Sequence, residues 1–494
     1  MTKRMPIFYS ALMLTGVNLL LRMVSTSFQV YISSSIGAAG VGLLQLVMSV
    51  GMLAMTAGMA GIRTATMYLC AAQLGRKKPD SVIWVLSGCF VYSILCSGSI
   101  ALLLYFFAPV VAQSWIGDIR TLGAIRLFSA FLPVSCLCGV MSGYFTAAGR
   151  IGILAATEVC EQLCAMAATF LILRFWAGDD PAKACQGVIL GSGLGSCIAV
   201  SALVILRLQE PRQKGPRVPV AGPLIKCAVP LGASDVLRSG ISTTENLMVP
   251  KRLALFHGIA NPLAAFGTVC GMVFPVLMFP AAILFGLAEL LIPELARCAA
   301  AGSSRRIRYL VRRSLRVAAV YGCLFAGLMY LLAQPLCQAL YGNTDAGLYL
   351  KQFSLLIPML YCDAITDAMT KGLGQQTACV RYNIITSAMD VVFLYLLLPK
   401  YAMAGYFVSF LVTHLLNFIL SLRRLMKISQ CTLKLRSPVF AILGTVCAVW
   451  LSSFLSAPAA QAVAFVLIFT CLLFLLRVLR KEDILWLKGL VYKK

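Results

Sequence analysis

The chain is short of charge. Asp, Glu, Lys and Arg make up 12% of its 494 residues, while 60% are hydrophobic, a balance that excludes a water-soluble globular domain. Carboxylates are the scarcer sign, 17 against 42 basic residues, and none occurs before Asp80. Histidine is nearly absent: His257 and His414 stand alone, too few for a zinc centre or a histidine-based catalytic site, so neither a metal nor a cofactor is expected. No glycine-rich phosphate loop ending in Lys-Ser or Lys-Thr is present, which removes one class of ATP-driven pump. The nineteen cysteines lack ligand-like spacing and sit mostly in apolar segments, where they read as small hydrophobes.

What is abundant is hydrocarbon-compatible sequence in long blocks. A span needs roughly 20 apolar residues to cross a bilayer core about 30 Å thick. Blocks of that kind recur over 6–33, 38–72, 81–113, 120–147, 151–176, 184–208, 222–252, 258–297, 306–336, 346–372, 377–399, 402–425, 437–456 and 459–479. The fold class expected is therefore an all-α polytopic membrane protein of about fourteen helices. The first block is too long for a signal-peptide core and reads as a retained span.

The +25 net charge alternates along this map. Basic clusters follow the even-numbered spans: Arg76-Lys77-Lys78, Arg150, Arg207 to Lys226, Arg297 to Arg316, Lys371/Arg381, Arg423 to Arg436, and the tail from Arg477 to Lys494. The other loops carry Asp118, Asp179, Asp180 and Asp345 instead. The positive-inside rule then puts both termini in the cytoplasm of a bacterial cell membrane. The excess positive charge is accounted for by topology and by anionic membrane lipids, and no nucleic-acid partner is implied.

A duplication is visible. Phe128-Ser129, Pro133 and Gly149 recur at one offset as Phe353-Ser354, Pro358 and Gly374, and Arg22 of span one matches Arg238 of span seven. Six helices per unit is an even number, so the two units share one orientation. The expected domains are an N-lobe over 1–209, a cytoplasmic linker over 210–221 rich in Pro, Arg and Gly, a C-lobe over 222–428, and two further helices with a tail over 429–494. Gly187, Gly191 and Gly195 of span six form a close-packing face.

Ionisable groups inside spans are costly and are therefore the first functional candidates. Asn18, Arg22, Ser25 and Gln29 share one face of span one, and Asp235, Arg238, Ser242 and Glu245 one face of span seven. Arg63 lies deep in span two. With no acid before Asp80, Arg22 and Arg63 have no carboxylate nearby in sequence, and a guanidinium suits phosphate oxygens. The competing view is local pairing of Arg238 with Asp235, and of Arg22 and Arg63 with backbone carbonyls or Glu245. Glu158 and Glu161 read as helix N-terminal carboxylates, Glu289 and Glu294 as partners of the Arg297 to Arg316 cluster, and Arg174 and Arg252 as snorkelling residues. Asp363, Asp367 and Asp390 either bind a coupling cation or pair with Lys371 and Arg381. Pro275, Pro280 and Pro293 should bend span eight, and Pro250 should end span seven.

Arg238 to Pro250, Gly271 to Pro275, Phe279-Pro280 and Ile292 to Leu295 resemble the polysaccharide flippases of the stage V sporulation protein B type. So do Gly143-Tyr144-Phe145 with Gly149, Glu158, Glu161-Gln162, and Ile36 to Leu43. The resemblance implies the fold of the multidrug, oligosaccharidyl-lipid and polysaccharide exporter superfamily, two six-helix lobes around a cavity. It further implies a cationic cavity, a role that passes to Arg22, Arg63 and Arg238 only; Asn18, Gln29 and Glu245 are substrate-site candidates by their places on the polar faces of spans one and seven. The expected function is a flippase for an anionic lipid-linked sugar diphosphate of the lipid II or polysaccharide-precursor kind, working as a monomer and not as an enzyme. The alternative is a cation-coupled multidrug exporter of the same fold.

Overall fold

A backbone in hydrocarbon must bond to itself, and helices do so within one segment. The computed structural model describes residues 7–75, 81–178, 180–209, 219–432, 436–476 and 478; among them the regular structure is helical and no strand occurs. In order these are α1 (Ile7–Met59), α2 (Ile62–Gly75), α3 (Val82–Val110), α4 (Leu122–Ala147), α5 (Ile151–Ile172), α6 (Pro181–Leu208), α7 (Ala221–Leu253) and α8 (Pro262–Gly267). They continue with α9 (Phe274–Met278), α10 (Ala281–Ala300), α11 (Ser304–Tyr341), α12 (Thr344–Ser354), α13 (Ile357–Gly372), α14 (Gln376–Ser429), α15 (Arg436–Ser452) and α16 (Pro458–Leu475). Three π-helical turns, Val111–Ile116, Leu173–Ala177 and Thr268–Val273, prolong α3, α5 and α8.

These helices reproduce the fourteen expected spans. By length and composition alone, eight stretches of the described residues qualify as membrane-crossing, nine with the bent pair of α8–α9 and α10. The higher number arises because α1 turns at Gly37 (φ 69°) and α14 at Ala402 (φ 51°), so each holds two spans. The remaining spans escape that criterion for visible reasons: α7 carries Lys226, Asp235, Arg238, Glu245, Lys251 and Arg252, α12 and α13 are broken at Leu355–Leu356, and α15 is short.

The packing falls into two compact units, one of 1–271 with 391–403, the other of 272–390 with 404–494. In the first, α7 lies against α1 and α2, bringing Gly232 onto Ala60. An apolar core runs from Ile62 and Ala65 of α2 through Val85 and Cys89 of α3 to Met141 and Phe145 of α4. In the second, α15 and α16 pack on α11 through Phe465, Phe469 and Cys323. The cysteines are free thiols, ten of them buried.

The proline-rich eighth span bends by 64° between α9 and α10. Its unbonded carbonyls are met by hydroxyls: Tyr341 donates to Met272 (3.1 Å), Tyr361 to Leu277 (2.9 Å) and Tyr321 to Pro280 (2.8 Å). Pro293 leaves α10 continuous, and Pro250 does not end α7, which runs on to Leu253. The duplication has a structural counterpart. Gly149 (φ 73°) and Gly374 (φ 77°) end α4 and α13 in the left-handed conformation, with Arg150 N–H donating to Phe145 (3.0 Å) and Gln375 N–H to Thr370 (3.1 Å). Only glycine adopts that backbone without strain.

Several sequence expectations lie outside the described residues: the basic run Arg76-Lys77-Lys78, Asp179, linker residues 210–218, Lys434, Arg477 and the tail from 479, and the side chains of Asn18, Arg22 and Glu289.

Candidate functional site

Three close glycine contacts set the helix spacing around the polar groups of the first unit. At Gly143 of α4 a Cβ would fall 2.5 Å from the Arg63 carbonyl, so only glycine lets α2 lie this close and fixes where the Arg63 side chain starts. On α6 the expected glycine face is present: Cβ atoms at Gly191 and Gly195 would lie 2.1 Å from Thr169 Oγ1 and 2.8 Å from the Glu161 carbonyl. That approach sets Ser196 Oγ 2.8 Å from Glu161 Oε1, to which it donates. Cys138 of α4 stands within electrostatic reach of Arg63, Glu158 and Glu161, and Glu158 within reach of Arg63 and Glu161; the Arg63 side chain is itself exposed.

This revises two sequence readings. Glu158 and Glu161 are the eighth and eleventh residues of α5, not first-turn carboxylates. Arg63 does have carboxylates near it in space. Yet among the described residues the Arg63 guanidinium makes no ion pair or hydrogen bond, and neither does the half-buried Glu158 carboxylate. Measured at 1.5 Å per residue, Arg63 lies roughly 18 Å from the end of α2 and Glu158 roughly 10 Å from the start of α5, too deep for simple snorkelling.

On α7 the two faces part company. Thr243 Oγ1 donates to the Ser49 carbonyl (3.0 Å) and Asn246 Nδ2 to Ser49 Oγ (3.0 Å), docking α7 on the second half of α1. Asp235, Arg238 and Ser242 lie on exposed surface, with Glu245 half-buried beside them. Arg238 forms no ion pair with Asp235 or any other described residue. Gln29 donates to the Gly271 carbonyl (3.4 Å), as does Ser33 (3.2 Å), so its amide serves the π-helical turn after α8. Arg252 lies over the Tyr395 ring, 3.1 Å from its centroid, and Arg174 is exposed.

The carboxylates of the second unit are engaged. Asp367 pairs with Lys371 at 2.5 Å, one turn along α13. Asp390 accepts from Ser409 (2.5 Å) and Thr413 (3.2 Å), and Asp363 accepts from Asn417 (3.2 Å). His414 stacks on Phe410 at 3.8 Å. Glu294 pairs with Arg306 at 2.6 Å, as the basic cluster suggested. No group of three or more His, Cys, Asp or Glu among the described residues is placed to hold a metal ion. A groove of about 280 Å³ between α5 and α6, lined by Ile153, Ala156, Thr157, Cys160, Ile198 and Leu206, carries no charge and fits hydrocarbon.

A multi-pass helical bundle with broken spans and ionisable groups held at depth is a membrane transport protein in architecture. The MatE family model matches residues 14–178. Stage V sporulation protein B of Bacillus subtilis (strain 168) is 21% identical over 96% of this chain and 96% of its own length. Among solved structures, the lipid II flippase MurJ in an inward closed conformation aligns with a TM-score of 0.70 at 11% identity, over 93% of this chain and 98% of that one. An inward-facing multidrug resistance MATE transporter aligns at 0.65 and 14% identity, over 84% and 98%. In sequence the chain is similar to stage V sporulation protein B and, over residues 14–178, to the MatE family, and its fold is that of the MurJ and MATE structures, in line with the resemblance drawn from its residues.

Proposed function

We propose that the chain is a flippase that carries an anionic, lipid-linked saccharide of the sugar-diphosphate kind from the inner to the outer leaflet of the bacterial cell membrane by alternating access. The observation that carries this reading is that Arg63 and Arg238, both inside spans, have no ion pair among the described residues. An uncompensated guanidinium is tolerated at depth only where water or a ligand reaches it, and a phosphate pair offers the oxygens it bonds best. Arg22, Asn18 and Glu245 join the site by their positions on α1 and α7. Gln29, bonded to Gly271, contributes through the backbone it holds. The relatives named for lipid II and for sporulation support a cell-wall precursor as the cargo.

In this reading both termini are cytoplasmic and the six-plus-six duplication supplies the rocking halves. Two negative charges moving outward gain roughly 5 kcal/mol per 100 mV of inside-negative potential, at about 2.3 kcal/mol per charge, which drives export without a cation site at Asp363, Asp367 or Asp390. The test is a proteoliposome flipping assay comparing lipid II with other undecaprenyl-linked sugars for the parent chain and for Arg22→Glu, Arg63→Glu and Arg238→Glu. Normal flipping by all three variants rejects the site.

The alternative is a cation-coupled multidrug exporter, favoured by one observation: Glu158 and Glu161 put two carboxylates inside the first unit. Under that reading Glu158→Gln and Glu161→Gln abolish cation-driven drug efflux while Arg63→Glu spares it.

A further inference from the structure

Each duplicated unit contains a broken span. In the first unit, span two is interrupted between α1 and α2, where Ala60 (φ 40°) and Gly61 (φ 74°) both take left-handed backbone. In the second, span eight is interrupted at Pro280, between α9 and α10. A carbonyl at each break meets a tyrosine hydroxyl from the span that follows: Tyr92 of α3 donates to Ala60 (3.3 Å) and Tyr321 of α11 to Pro280 (2.8 Å). Both the breaks and the tyrosines recur within five positions of the offset that relates Phe128 to Phe353. The two breaks differ in chemistry. Pro280 has no amide and its ring excludes a regular helix there, so a break persists in span eight whatever its neighbours do. Ala60 and Gly61 keep their amides. Alanine reaches positive φ only under strain, and such strain persists where the surroundings over-determine it.

The constraint comes from α7. Gly232 lies so close that a Cβ on it would fall 2.6 Å from the Ala60 carbonyl carbon, and a Cβ on Gly61 would fall 2.4 Å from the Ala228 carbonyl oxygen. We propose that Ala60–Gly61 is a reversible hinge in span two, held broken by α7 and latched by the Tyr92 hydroxyl, whereas Pro280 makes the matching break in span eight permanent. When α7 moves off, Ala60 relaxes to right-handed helix and its carbonyl exchanges the Tyr92 hydroxyl for the Thr64 amide one turn on. The second half of α1 and α2 then form one continuous helix. Arg63, two residues beyond Gly61, turns with α2, so the hinge re-aims that side chain as span two bends and straightens. The hinge depends on backbone geometry alone and stands whatever the cargo.

The test reads the Ala60 backbone directly. Full-length protein carrying carbon-13-labelled alanine is placed in lipid nanodiscs for nuclear magnetic resonance, and the Ala60 signal is identified by its loss in Ala60→Gly. Its Cα and Cβ shifts separate left-handed from right-handed helical backbone. The parent protein should show Ala60 mainly left-handed. Tyr92→Phe is expected to raise the ratio of right-handed to left-handed form about threefold to tenfold, the loss of one hydrogen bond. Gly61→Ala, whose methyl meets the Ala228 carbonyl, should make the right-handed form dominant. Tyr321→Phe, in the other unit, should leave the ratio unchanged. An Ala60 signal that stays left-handed in all variants makes the break as permanent as that at Pro280 and overturns the hinge. A parent signal already right-handed overturns it too, as does a shift with Tyr321→Phe as large as that with Tyr92→Phe. Should Gly61→Ala not fold, Tyr92→Phe decides alone. Ala60→Gly adopts the same backbone without strain and is expected to raise the melting temperature; no rise would show that nothing is stored at Ala60 and would overturn the hinge as a strained one.

Discussion

The two packing units treat charge in opposite ways. In the first, Arg63 of α2, Glu158 of α5 and Arg238 of α7 lie within spans and form no ion pair among the described residues. In the second, Asp363, Asp367 and Asp390 all have partners: an asparagine, a lysine one turn away and a pair of hydroxyls. A partnered charge is explained by the fold that holds it. One within a span and without a partner is not explained by the fold, and is the first place to look for a ligand. Uncharged polar groups meet backbone carbonyls in both units, as Ser33 does at Gly271 and Thr243 at Ser49 in the first. The second unit caps the broken eighth span with Tyr321, Tyr341 and Tyr361, which stabilises a bend without leaving acceptors exposed to hydrocarbon.

The contrast breaks most sharply at the arginines. Arg63→Glu or Arg238→Glu should lower flipping in proteoliposomes by at least about tenfold, the loss of one charge-assisted hydrogen bond or more, with little change in the amount of folded protein recovered. Asp367→Asn, a pair that is partly exposed, should leave flipping within about twofold and stability within about 0.5 kcal/mol. Transport lost in Asp367→Asn would make the second unit the active one and reverse the comparison.

Stability gives the next largest effects. Tyr361→Phe removes the hydroxyl that meets the buried Leu277 carbonyl and should cost about 1–3 kcal/mol, read by thermal unfolding in detergent. Gly149→Ala and Gly374→Ala have open space around the new methyl and positive φ, so each should cost about 1–2 kcal/mol from backbone strain alone. Unequal costs at these two positions would weaken the structural case for the duplication.

The smallest effect lies outside the spans. Arg120 bonds the Asp118 carboxylate at 2.6 Å and holds it below the usual carboxylate range. A lowered folded-state value means the contribution is present above the unfolded carboxylate's own value and is lost as pH falls through the folded one, hence below about pH 4. The pair is open to solvent, so it should amount to a few tenths of a kcal/mol. The melting-temperature difference between parent and Asp118→Asn should shrink on acidification; a difference independent of pH would show that Arg120 does not hold the carboxylate.

Much of the bundle was legible in the residues. Apolar block length gave the spans, since the hydrocarbon thickness is fixed, and spacing of four revealed the glycine face of α6. The matched Gly149 and Gly374 exposed the duplication because both ends need the same left-handed turn. What escaped was anything set by helices distant in sequence. Glu158 read as a helix-terminal carboxylate because nothing in its own segment points to Arg63, almost a hundred residues earlier. The hydroxyls of Tyr321, Tyr341 and Tyr361 carry no signal of the carbonyls they meet. Gln29 looked like a cavity residue because its face is polar, yet it bonds Gly271, which only the packing of α1 on the turn after α8 brings near.

The sequence by itself determined that this is a helical membrane protein with arginines at costly depth, because the bilayer imposes its thickness and its intolerance of unbonded polar groups on each segment separately. Only the tertiary structure decided which of those charges are compensated. Pairing depends on the contact of side chains from different helices within about 4 Å, and that distance is set by close packing, at Gly143 and Gly195 among other points, which no single segment encodes.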